Sequence, residues 1–110
     1  MKCKILHESR GRLRVHMACA SMSLREADVL EYYLRALDGV VQVRVFDRTQ
    51  DAIIEYTGAR VAVLQALARF SFASADAQAL VPEHTARVLN REFEDKLVMT
   101  VVRHTFSKVF

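Results

Sequence analysis

The groups in this chain that could do chemistry are two thiols, Cys3 and Cys19, the histidines His7, His16, His84 and His104, and arginines set on alternating positions around Leu13 and Val15. Nothing in the N-terminal stretch resembles an export signal, and the apolar content is enough for a full core, so both cysteines read as reduced thiols rather than a bridge. His7 and His16 have no metal-ligand spacing with Cys19, and His84 and His104 lie far apart on one predicted helix, so solvated histidines are the default. There is no glycine-rich phosphate loop, no nucleophile paired with a base, and no aspartate-phosphorylation motif. The chain therefore reads as having no catalytic machinery.

These groups are positioned by a recognisable pattern of elements. Leu13, Val15 and Met17 alternate with Arg12, Arg14 and His16, the period-2 signature of a half-buried strand. The Cys3 to His7 run before it is also strand-like, with Ser9-Arg10-Gly11 as a bulge or a tight turn. Ser23-Leu24-Arg25-Glu26 reads as a capping box opening a helix whose stripe is Ala27, Leu30, Leu34 and Leu37, with Tyr33 turned inward, Tyr32 near the surface and Gly39 closing the end. Val41, Val43 and Val45, then Ala52, Ile54 and Tyr56, make an antiparallel hairpin around a loop of about five residues. After Gly58, Ala59 to Phe70 reads as a helix with Val61, Leu64, Leu67 and Ala68 on one face. Ala77 to Val81 is the candidate for a final strand. From about Glu83 a third amphipathic helix carries Val88 or Leu89, Phe93, Leu97 and Val101, widened by Val98, Val102, Phe106 and Val109, and has no closing residue.

Length and composition limit what this pattern can be. With 110 residues, 52% of them hydrophobic, and only three glycines and one proline, the chain fits one α+β domain without long linkers. Met1 to Arg14 is too charged for a signal peptide, and Leu97 to Val102 is too short to span a bilayer. The net charge of +3 is modest and does not by itself mark a nucleic-acid binder. The open side of the sheet is nevertheless basic, displaying Arg12, Arg14, His16, Gln42, Arg44, Ile53 and Glu55. Arg12 or Arg14 is expected to pair with Glu55 across strands, and the solvated face outweighs a docking surface formed by Arg12, Arg14, His16 and Arg44.

The loop Met17-Ala18-Cys19-Ala20-Ser21-Met22 resembles the Met-x-Cys-x-x-Cys loop of heavy-metal-associated domains, with Met22 where the second Cys belongs. It falls between the same elements, and the match covers roughly residues 12 to 82. The phrases Ile5-Leu6-His7-Glu8-Ser9-Arg10-Gly11-Arg12-Leu13-Arg14-Val15 and Glu31-Tyr32-Tyr33-Leu34-Arg35-Ala36-Leu37-Asp38-Gly39-Val40 are similar to divergent N-terminal domains of bacterial soft-metal P-type ATPases. The resemblance implies a ferredoxin-like βαββαβ sandwich over 1–82, with an antiparallel four-stranded sheet and two helices on one face. It makes 83–110 a connector toward membrane segments of a longer chain. It implies a cytosolic regulatory or metal-sensing domain of an inner-membrane protein, with other domains of the ATPase as partners.

The paired thiolates of that family do not carry over. Soft ions such as Cu(I), Zn(II) or Cd(II) are held by deprotonated Cys, and here Cys19 stands with the thioethers of Met17 and Met22, which implies weak binding. A small apolar residue packing at the helix start is the stronger reading of Cys19, core packing is that of Met17, and Met22 is the freer ligand candidate. A thiol at a helix N-terminus has a lowered pKa if it is exposed. The alternative function is a metal-free interaction module or homodimer of the same fold. RNA recognition ranks lowest, because the central strands lack aromatic residues to stack bases.

Overall fold

The computed structural model describes residues 1–94. It is an α+β fold in which β1 (Cys3–Ser9), β2 (Arg12–Met17), β3 (Val40–Phe46) and β4 (Asp51–Tyr56) form one antiparallel sheet in the order β1-β2-β4-β3. The helices are α1 (Leu24–Arg35), α2 (Arg60–Arg69) and the short α3 (Ala75–Ala79), and residues 86–94 are also helical. β2 and β3 are both antiparallel to β4, which lies between them, so β2-α1-β3 is a split βαβ unit.

The alternating residues fix which face is buried. Leu13, Val15, Met17, Val43, Val45, Ala52, Ile54 and Tyr56 point to the same side as Ala27, Leu30 and Leu34 of α1 and Val63 and Leu67 of α2, and together they form a single core. Burying such side chains contributes roughly 1.5–3 kcal/mol each before entropy is charged against them. The capping box is present: Ser23 Oγ accepts from the Glu26 N–H and the Glu26 carboxylate accepts from the Ser23 N–H, both at 3.0 Å. Tyr33 packs inward on Phe70, with ring centroids 4.9 Å apart, and donates its hydroxyl to the Ala66 carbonyl. Gly39 has φ +84°, and a Cβ there would lie 2.6 Å from the Thr57 carbonyl oxygen, so glycine is required by both conformation and space.

Four expectations are corrected, and the choice between bulge and turn at Ser9-Arg10-Gly11 is decided. Residues 77–81 do not form the last strand: Ser74 caps α3 by accepting from the Ala77 N–H, and alternating alanines at 73, 75, 77 and 79 favour a helical turn over a ladder. The fourth strand is β1, which occupies the edge beside β2, so the order through α3 is ββαββαα rather than βαββαβ. Arg10 and Gly11 make a turn, while the bulge lies at Leu6, between Ile5 and His7. On α2 the buried residues are Val63, Ala66 and Leu67, with Val61 exposed, a stripe turned from the expected one. Finally, Val41 is not in the core: a second bulge between Val40 and Gln42 turns it outward, 68% exposed.

The third helix begins at 86 rather than 83, and the part expected from 95 to 110 lies outside the described residues. Among the described residues no helix is long and apolar enough to cross a membrane. Thr85 and Arg87, at the start of this helical segment, are fastened to the domain by a polar cluster. Asp28 is 1% exposed on α1; its carboxylate accepts from the Thr85 hydroxyl at 2.6 Å and pairs with Arg87. Arg87 also donates to Glu31 at 3.1 Å and to the Val45 carbonyl at 2.7 Å, while the Val45 N–H donates to Glu31. Side chains thus occupy the outward backbone groups of Val45 on edge strand β3, which would otherwise be open to another strand.

Candidate functional site

Two regions hold the residues singled out from the sequence, the loop after β2 and the open face of the sheet. In the loop, the ladder ends at Met17, Ala18 N–H donates to the Lys2 carbonyl, and a tight bond from the Cys19 N–H to the Met17 carbonyl turns the chain toward Ser23 and α1. The turn separates the three sulfurs by environment. Met17 is 0% exposed and Met22 7%, both within the core cluster, whereas Cys19 is half-buried against it. Neither thioether is presented to solvent, so an ion on Cys19 would need one of them to leave its packing. Met22 is not the freer ligand that the sequence suggested. Among the described residues no group of three His, Cys, Asp or Glu side chains is placed to hold a metal.

Cys19 also departs from its expected acidity. Burial pushes its thiol up, and the nearby Glu26 carboxylate pushes it further the same way; burial likewise raises Cys3. The capping glutamate therefore opposes the effect of the helix terminus. The rate of Cys19 alkylation by iodoacetamide, followed by mass spectrometry against pH, is expected to rise along a curve displaced above that of an unfolded peptide carrying the same cysteine. A curve at or below the peptide's would contradict this placement.

The open face is ordered by the strand register into three rows. One row is Ser9, Arg12, Glu55 and Gln42; the next is His7, Arg14, Ile53 and Arg44; the third is Lys4, His16, Asp51 and Phe46. The expected surface residues Arg12, Arg14, His16 and Arg44 therefore do share one face. Their internal pairing differs from expectation: Asp51 rather than Glu55 is the acceptor. Arg14 donates to Asp51 Oδ2 at 3.1 Å and His16 Nδ1 lies 2.8 Å from Oδ1. Asp51 is 6% exposed at the start of β4; as a hairpin residue it read as part of the turn, and its partners are visible only once β2 lies beside β4.

Burial pushes the Asp51 carboxyl up, and the hydrogen bonds from His16 and Arg14 outweigh it, holding the group below the ordinary aspartate range. A depressed folded-state pKa contributes stability that is present above the unfolded value, about 3.9, and is lost as pH falls through the folded value. The difference in unfolding free energy between the wild type and Asp51→Asn is thus expected to be constant at neutral pH and to shrink below about pH 4. Chemical denaturation across that range checks it, and a gap that widens on acidification would contradict the assignment.

Two depressions follow the face. One, of 410 Å³, lies among His7, Ser9, Arg12, Arg14 and Ile53; the other, of 740 Å³, runs from Arg14 past Arg44, Phe46 and Arg48 to Asn90 and Arg91 of the helical segment. They meet at Arg14. Arg91 reaches Asp47 at 3.5 Å, and the Arg44 guanidinium sits 5.7 Å over the Phe46 ring. No protein-family model, curated protein or solved structure matches this chain.

Proposed function

We propose that this chain is the cytosolic N-terminal regulatory domain of a heavy-metal-translocating P-type ATPase, acting by docking, with its metal loop reduced to Cys19. The observation that carries the docking part is the basic sheet face, which no other described residue covers and two depressions of which converge on Arg14. The loop resemblance supports the family, since Met17 to Met22 joins a strand to a capped helix on a four-stranded antiparallel sheet. In this reading the segment from Thr85 onward leads toward the membrane part, and the Asp28–Arg87 cluster ties its first residues to the domain. The bound ion, where one is sensed, is a weakly held soft metal such as Cu(I), with Zn(II) and Cd(II) lacking sufficient anionic ligands.

The burial of Met17 and Met22 favours a second reading, a metal-free interaction module of the same fold. Titration of the reduced protein with Cu(I), Zn(II) and Cd(II), beside a Cys19→Ser variant, separates the two. Metal sensing requires Cu(I) uptake that the variant loses. Equal, poor binding by both proteins removes metal sensing and leaves the interaction module. Dimerisation through the sheet has less support in either reading: both edge strands are bulged, at Leu6 and near Val41, and two copies of the basic face repel.

A further inference from the structure

We infer that the open sheet face takes an acidic protein segment that carries an aliphatic or aromatic side chain, seated across the row His7, Arg14, Ile53 and Arg44. The inference rests on the docking reading above and names the chemistry of its partner. Ile53 lies at the middle of that row, directly opposite Arg14 on one strand and Arg44 on the other, each about 4.8 Å away from backbone to backbone, so an apolar contact sits between two arginine positions.

The charges on the face leave cations available. Asp51 is committed to Arg14 and His16 from beneath, and the Arg14 side chain remains 47% exposed. Lys4, Arg12 and Arg44 have no carboxylate within ion-pair distance among the described residues. Glu55, between Arg12 and Gln42, is the other acidic member of the three rows. Guanidinium groups match carboxylates with two parallel hydrogen bonds, and Phe46, half-exposed under Arg44, extends the apolar strip to the sheet edge.

This composition separates the candidate partners. A second copy of the domain would bring like charge to like charge. Single-stranded nucleic acid needs stacking platforms, and the central strands offer Arg12, Arg14, His16, Asp51, Ile53 and Glu55 on this face, with no Phe, Tyr or Trp among them and the one imidazole, His16, held by Asp51.

The test uses fluorescence anisotropy with a short labelled peptide of alternating Glu and Leu, its Gln and Leu counterpart, and a polyuridylate RNA, on the wild type and on Arg44→Glu and Ile53→Ser variants. Circular dichroism confirms that the variants stay folded. The Glu-Leu peptide is expected to bind, to weaken as salt rises, and to lose about tenfold or more in affinity with Arg44→Glu and severalfold with Ile53→Ser. Absence of peptide binding, equal binding of the Gln-Leu peptide, tighter binding of RNA, or indifference to Arg44→Glu would overturn the inference. Because the probes contain no metal, a negative Cu(I) titration leaves this result standing, and a negative peptide result leaves the metal reading standing.

Discussion

Replacing Arg87 with alanine is expected to cost about 3 kcal/mol of folding stability, near the lower end of what removing one partner of a buried ion pair costs. The reason is what remains. Asp28 is 2% exposed at its side chain and would keep only the Thr85 hydroxyl; Glu31 would keep the Val45 N–H, and the Val45 carbonyl would lose its donor. Burial of an unpaired carboxylate is the dominant loss, so Asp28→Asn combined with Arg87→Met should cost less than the sum of the two single changes. Urea denaturation of the four proteins of that cycle measures the coupling. Additive behaviour would mean that the segment from Thr85 is not held through this pair.

Met17→Ala is expected to lower stability by about 2–5 kcal/mol, while Met17→Leu costs less than about 1.5 kcal/mol, as for a fully buried core residue. Met17 lies opposite Cys3 on β2 and is enclosed by the core. The pair of substitutions also separates packing from ligation: leucine keeps the volume and removes the sulfur. Cu(I) uptake that is unchanged in Met17→Leu agrees with Met17 as a core residue, and uptake abolished by it would make the thioether a ligand.

How much of this was legible depended on how local the determining interactions are. The capping box at Ser23 and Glu26, the glycine at 39, and the alternation of Leu13, Val15 and Met17 act within a few residues and are present in the structure. The open-face residues followed from the same alternation. The last strand was misplaced because a short run of alanines and leucine carries no reliable period, whereas Ser74 three residues before Ala77 is a helix-start signal that outweighs it. Given a fourth strand, the strand-like run from Cys3 was the available alternative, and a hairpin to β2 is the more local pairing.

The polar clusters were hidden for the opposite reason. Asp28 sits between Ala27 and Val29 on the buried side of α1, and its partners Thr85 and Arg87 are more than fifty residues away. A charged residue inside an apolar stripe was the available sign that some distant partner must reach it. The sequence reading of the sulfur loop placed Met17 in the core by its alternation, but Met22 follows a turn, where period 2 no longer applies. Its burial comes from the way the chain doubles back onto α1.

Regulation by docking of the basic face is tested most directly in the proposed parent ATPase. Metal-stimulated ATP hydrolysis would be compared between the intact protein and one carrying Arg12→Glu and Arg44→Glu, substitutions on exposed positions of the sheet that leave the Asp28–Arg87 cluster and the core intact. The metal dependence of the rate is expected to shift while the domain remains folded. Superimposable stimulation curves for the two proteins would contradict it.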